Sequence, residues 1–290
     1  MLSKIKKQSK RYLFHEIIQG NSMKLSLVLT PEKTTFAPLL FAGDMEKGIK
    51  KAAELGYDGV ELNIRDPLQI EKDKLIQSVH SNGLEVVALG TGQAYIKDGL
   101  SLANPDPGIR FRTINRLKDH INLAQYLGAQ VVIGGIRGRF SSDEARRIEY
   151  ESSLSAMLEC IKFANELGVT LTVEPINRYE TNFINTIEEG LSFLCDLNDN
   201  NVKLLADTFH MNIEETSFTK SLKAAGNKLS HIHLVDSNRL APGKGHTDFC
   251  NIIKALRDIK YKGYLSAEIL PDPDSETAAR TYINYVRKLL

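Results

Sequence analysis

The sequence predicts an α/β protein, a single parallel (β/α)8 barrel of the TIM type. Three observations predict it. From Met23 onward, eight short apolar runs alternate with amphipathic segments, at a spacing of roughly 25–45 residues. The runs are almost continuously apolar, as strands covered on both faces must be. A chain of 290 residues with 42% hydrophobic and 25% charged residues suits one barrel of about 250 residues.

The runs, in order, are 24–29 (KLSLVL), 59–63 (GVELN), 84–89 (LEVVAL), 130–133 (QVVI), 170–173 (TLTV), 202–206 (VKLLA), 229–235 (LSHIHLV) and 264–269 (YLSAEI). Between them lie helix-like segments at 44–55, 110–127 and 142–167. Asp44 and Ser142 stand at the starts of two of these, and Gly56, Gly128 and Gly168 just past the ends, where caps belong. An open doubly wound sheet is the alternative. It would carry a glycine-rich phosphate turn after the first strand, but TPEKTTFAP has no glycine. Gly90-Thr91-Gly92 follows the third run with Tyr95 at the third-glycine position, so it reads as a loop. Residues 23–290 form the expected single catalytic domain. Residues 1–22 read as an N-terminal extension outside the core, crowded with Lys4, Lys6, Lys7, Lys10 and Arg11 and lacking a signal-peptide apolar region.

With 37 basic and 36 acidic residues the net charge is +1, which argues against a nucleic-acid binder. No run approaches the ~20 apolar residues of a membrane span. Cys160, Cys195 and Cys250 are scattered and odd in number, so a reducing cytoplasm is the expected compartment.

In such a barrel the working residues stand at the carboxyl ends of the strands. The last four runs bring Glu174, Asp207, His233 and Glu268 there. Any one of them alone reads equally as a cap or ion-pair partner. Four in succession read as a metal site, because a charge in an apolar strand is costly unless paired or bound to an ion. Three carboxylates and an imidazole suit Mn²⁺, Mg²⁺ or Co²⁺, with Zn²⁺ also admissible. His231 shares a strand face with His233 but lies deeper, and reads as a hydrogen-bonded core histidine. Arg65, Arg137 and Arg139 follow strands two and four. Either they clamp a substrate carboxylate bidentately, or they pair with Asp66, Asp143 or Glu144. Gln93 and Tyr95 are candidate hydroxyl contacts in a long loop, 90–108.

The strings VEPINRYE (173–180), DTFH (207–210), HLVDSNR (233–239) and AEI (267–269) resemble the xylose-isomerase-like barrel superfamily and, within it, the ketose 3-epimerase branch. Segments 88–102, 177–189, 205–215 and 236–249 resemble still more closely the 5-keto-L-gluconate epimerases of inositol catabolism. The resemblance implies one divalent metal, Mn²⁺ first, held by Glu174, Asp207, His233 and Glu268. It implies that Glu174 and Glu268 are the acid/base pair, and that Glu180, His210 and Arg239 hold the substrate. The implied substrate is a small sugar or sugar acid, the implied chemistry C3-type epimerisation through a cis-enediolate, and the best single reaction 5-keto-L-gluconate to D-tagaturonate. By analogy a homo-oligomer is compatible with this reading; no membrane or nucleic-acid partner is expected. The alternatives are an aldose–ketose isomerase on the same scaffold, an apurinic-site nuclease, and a barrel that binds without catalysis.

Overall fold

The computed structural model describes residues 23–34 and 37–290. The expected extension, residues 1–22, lies outside the described residues. Eight strands close into a parallel barrel in chain order: β1 (Lys24–Leu29), β2 (Gly59–Asn63), β3 (Glu85–Gly90), β4 (Gln130–Ile133), β5 (Leu171–Val173), β6 (Val202–Asp207), β7 (Leu229–His233) and β8 (Tyr264–Ala267). Closure comes from β1 against β8, with Lys24 opposite Tyr264 and Leu27 opposite Ala267. The predicted (β/α)8 architecture is the observed one, and each predicted run contains its strand to within two residues at either end.

Ten α-helices surround the sheet among the described residues: α1 (Met45–Leu55), α2 (Lys72–Ser81), α3 (Gly92–Asp98), α4 (Pro107–Leu127), α5 (Arg146–Leu167), α6 (Ile187–Leu197), α7 (Thr208–Glu214), α8 (Phe218–Ala225), α9 (Phe249–Asp258) and α10 (Ser275–Val286). Helix α1 begins as expected, with the Asp44 carboxylate accepting from the Lys47 amide. Two starts differ from the expectation. Helix α4 opens three residues earlier than Arg110, because Asp106 caps it and Pro107 occupies its first turn, where a missing N–H costs nothing. Helix α5 opens four residues later than Ser142, whose hydroxyl instead accepts from the Ala145 amide in a preceding turn. The stretch 90–108, expected as loop, carries α3. Glycines at 90 and 92 weaken its helical signal, and the surrounding packing supplies what propensity does not.

Alternation along the strands sorts side chains into two compartments. On β1, Leu25, Leu27 and Leu29 face out into the main core between sheet and helices. Ser26 faces into the barrel, where its hydroxyl meets that of Ser266 on β8. A small apolar cluster of Val87, Ala88, Val132 and Leu205 fills part of the interior. Toward the carboxyl ends of the strands the inward positions are polar, and Glu61, Glu174, Asp207 and His233 are all buried there. No helix among the described residues is long and apolar enough to cross a membrane.

Cys160 lies buried on α5, whereas Cys195 and Cys250 are exposed. Burial, assisted by the neighbouring Glu159, pushes the Cys160 thiol up to about 12. The thiolate is the reactive form, so an aromatic disulfide reagent at pH 8 should titrate two thiols of the native protein quickly. The third should react only after denaturant is added. Three rapid equivalents in the native state would contradict this packing.

Candidate active site

Glu174 follows β5, Asp207 ends β6, His233 ends β7 and Glu268 follows β8. The backbone thus delivers four inward-pointing groups to one rim, and their ligand-capable atoms all lie within 4.8 Å of one another. The His233 Nδ1 atom sits 3.6 Å from Glu174 Oε1 and 3.5 Å from both Asp207 Oδ2 and Glu268 Oε2. Asp207 divides its two oxygens. Oδ1 accepts from the amides of Phe209 and His210, capping α7, while Oδ2 faces the cluster.

The electrostatics are those of crowded acids out of water. Burial pushes the Glu174 carboxyl up to about 7. His233 pulls it the other way, and the anions of Glu268 and Asp207 add to the rise. Burial alone would raise Asp207 too, but His210, His233 and Arg239 together hold it well below the usual carboxylate range. For His233 burial favours the neutral form, yet the carboxylates around it, Glu61 first, hold it well above the usual imidazole range. Asp207 Oδ2 and His233 Nδ1 are buried without a hydrogen-bond partner. Two orphaned atoms aimed at one point, in a set of oxygen donors with one imidazole, fit a divalent cation.

A cavity of about 550 Å³ opens above this cluster. Glu180, His210, Arg239, Gln93 and Tyr95 all line it, together with Glu174, His233 and Glu268. Burial pulls His210 down to about 4, so its ring is neutral at pH 7. Asn177 Nδ2 donates to His210 Nδ1 (2.7 Å) and to Glu180 Oε1 (2.9 Å), which leaves the ring hydrogen on Nε2. That atom lies 3.9 Å from both Glu174 Oε1 and Asp207 Oδ2, at the edge of the cluster.

Arg239 donates from a terminal nitrogen to Glu268 Oε2 at 2.8 Å, and its guanidinium lies 4.6 Å from the Phe209 ring centre. Its backbone is left-handed, with φ of 62°, a conformation costing a non-glycine residue about 1 kcal/mol. Asp236 holds it there. This buried carboxylate accepts from the amides of Ser237, Gly243, Gly245 and Thr247, drawing the 236–247 loop around itself, while the Arg239 amide donates to the Asp236 carbonyl. The Gln93 amide donates to Asn63 Oδ1, and its side-chain Oε1 is buried without a partner.

Arg137 is the exception among the expected site residues. It is fully buried and absent from the cavity wall, and its guanidinium donates to the carbonyls of Gly134, Phe183 and Ile184 at 2.8–2.9 Å. The substrate-clamp expectation for it is therefore corrected: with its donors committed to backbone, it ties β4 to the 183–184 turn. Burial pulls it down to about 10, still cationic, and Glu174 favours that charge, so it acts on the site only at a distance. Arg65 pairs with Asp98 rather than Asp66, and Arg139 is exposed. Arg239 is the one arginine or lysine among the described residues of the cavity wall.

Three contributors escaped sequence reasoning. Asn177 and Asp236 lie inside motifs that were quoted, but short polar side chains in loops carry no local sign of whom they hold. Glu61 had the same signal as Glu268, a carboxylate within an apolar run. His231 is the buried histidine expected, within 2.8 Å of Glu61 Oε2 and 3.0 Å of Ser266 Oγ.

Residues 49–289 match the model of the xylose isomerase-like TIM barrel family. A D-psicose 3-epimerase of Agrobacterium fabrum is 33% identical over 227 residues, covering 76% of this chain and 77% of that one. A 3-dehydro-D-guloside 4-epimerase of Escherichia coli is 28% identical over 231 residues, covering 74% and 83%. Among solved structures, a D-allulose 3-epimerase from Methylomonas in complex with D-allulose superposes with a TM-score of 0.77 at 28% identity, covering 93% of this chain and 100% of that one.

Replacing Arg137 with methionine keeps a long side chain but strands three buried carbonyls. Breaking such a buried charged network should cost about 3 kcal/mol or more. Urea unfolding of Arg137→Met checks this. A loss below about 1 kcal/mol would mean the guanidinium is not spent on the backbone as described.

Proposed function

The chain belongs to the xylose isomerase-like TIM barrel family, is an isomerase of the sugar-epimerase kind, and on that premise we propose the reaction and the residues that carry it. Residues 23–290 act as one catalytic unit that inverts the carbinol carbon next to the ketone of a 2-ketose or keto-uronate. Glu174 and Glu268 are the acid/base pair. The observation that carries this reading is their placement: they rise from β5 and β8, three strands apart on an eight-stranded ring, and converge on one cluster beneath the cavity.

Inversion requires a proton to leave the carbon on one face and another to return on the opposite face. One glutamate removes the first proton and the other delivers the second, each contributing about 10²–10⁴-fold. Glu174, Asp207, His233 and Glu268 would hold a divalent cation, Mn²⁺ first. When bound it supplies Lewis-acid polarisation of the ketone and offsets the negative charge of the cis-enediolate. His210 offers its Nε2 hydrogen, and Glu180 and Arg239 offer an acceptor and donors to the neighbouring hydroxyls. Gln93 Oε1 accepts from a hydroxyl further up the wall, and the Tyr95 ring closes that side.

5-Keto-L-gluconate remains the best single substrate, on the likeness of segments 88–102, 177–189, 205–215 and 236–249. One observation favours a second reading, an uncharged ketose: with Arg137 outside the cavity, only Arg239 is left on its described wall to meet a carboxylate, and it is already paired with Glu268. A nuclease that assembles three metal ions is disfavoured. Among the described residues the ligand-capable groups are the four-residue cluster and Glu61–His231–His233, which share His233.

The test is a panel of 5-keto-L-gluconate, D-psicose, D-tagatose and L-ribulose, assayed with Mn²⁺, Co²⁺ and Mg²⁺ in deuterated water. Turnover with deuterium entering only at the inverted carbon is the expected result. Exchange at C1 of a ketose would point instead to aldose–ketose isomerisation, and metal-loaded protein inert on the whole panel would sink the proposal. Glu174→Gln and Glu268→Gln should each lower kcat by about 10²–10⁴-fold while circular dichroism stays unchanged.

A further inference from the structure

Glu61 stands one layer below the cluster on β2, 1% exposed, between the fully buried Val60 and Leu62. An ionised carboxylate in such a place is costly unless every lone pair finds a donor. Its donors are two imidazoles. His231 Nε2 lies 2.8 Å from Glu61 Oε2, and His233 Nε2 lies 3.1 Å from both oxygens. A carboxylate this deeply buried, with two ring nitrogens at hydrogen-bond distance, is matched only when both of them donate to its oxygens. Both Nε2 atoms must then carry hydrogen. Ser266 Oγ, itself paired with Ser26, lies 3.0 Å from His231 Nε2 and accepts a share of that same hydrogen.

The consequence falls on the other nitrogen of His233. With hydrogen fixed on Nε2, a neutral His233 has its lone pair on Nδ1, the orphaned atom surrounded by Glu174, Asp207 and Glu268. Without an acceptor below, the ring hydrogen could move to Nδ1 and bond to one of those carboxylates, and the ring would no longer be a ligand. Glu61, His231 and His233 could hold an ion by composition alone. Yet 2.8 Å is hydrogen-bond length, and protons already bridge these groups.

We propose that Glu61 is the positioning residue of this centre: it selects the nitrogen that His233 presents to the cation and thereby sets the affinity for divalent metal. This rests on the metal reading given above but not on any particular sugar. Histidine ligands are commonly oriented by a carboxylate on their far nitrogen, and loss of such a partner typically weakens metal binding about 10–100-fold.

The experiment is calorimetric titration of Mn²⁺ into metal-free wild-type, Glu61→Gln and Glu61→Asp proteins, with the melting temperature of each metal-free form measured alongside. Glutamine keeps the volume but can donate an amide hydrogen to Nε2, which drives the ring hydrogen to Nδ1. It should weaken the Mn²⁺ Kd about 10–100-fold, with aspartate falling between glutamine and wild type. A purely structural role would lower the melting temperature and leave the Kd of the folded protein unmoved, and that result overturns the proposal. If Glu61→Gln does not fold, Glu61→Asp carries the comparison, supported by the ¹⁵N spectrum of Zn²⁺-loaded wild type. Hydrogen on His233 Nε2 in that spectrum supports the assignment, and hydrogen on Nδ1 overturns it. Wild-type protein that takes up no Mn²⁺ overturns the metal reading itself, and this role with it. Tight wild-type binding matched by the variants overturns only the role of Glu61.

Discussion

Removing several carboxylates from water at once is the constraint that organises this molecule. Glu61, Glu174 and Asp207 all sit inside a closed barrel, with Glu268 at its lip. Each would be expelled or neutralised unless something positive or hydrogen-bearing met it. The barrel meets them in tiers. The lowest is the hydroxyl pair of Ser26 and Ser266, then His231 with Glu61, then His233. At the top three carboxylates gather around His233 Nδ1, flanked by His210 and Arg239. Two buried atoms, Asp207 Oδ2 and His233 Nδ1, stay unmatched at that top tier.

The walls of the cavity are held from behind by side chains that do not enter it. Arg137 fastens the end of β4 to the turn that precedes α6. Asp236 gathers four amides and keeps Arg239 in a backbone conformation it would not choose alone. Asp98 receives both Arg65 and Arg116, which moors the far end of α3, the helix that carries Gln93 and Tyr95. Rigid support of this kind keeps polar groups in a site aimed where they are needed.

The sequence made the barrel legible because a doubly covered strand leaves a plain mark: an apolar run of fixed length, recurring eight times. The four cluster residues were legible for a related reason, since a charge at the end of such a run has no bland excuse when its neighbours in the ring do the same. What stayed hidden depended on distance in the chain. Glu61 shows its purpose only when β2 faces β7 across the interior, 170 residues away from His231. Arg137 looked like a rim residue because its strand ends there, but whether its side chain turns up into the cavity or back toward the 183–184 carbonyls is decided by packing that no local pattern encodes. Helix α3 was obscured because glycines stand where it begins, and its stability is borrowed from neighbours.

Asp207 has a consequence beyond its place in the cluster. With one oxygen gripping the first amides of α7 and the other turned to the metal-capable corner, it is a shared hinge pin for two halves of the pocket. Any tug on the outer oxygen is felt at the base of the helix that bears His210. The two halves therefore cannot wander separately, and a cation seated in the corner would stiffen the side of the pocket that His210 lines.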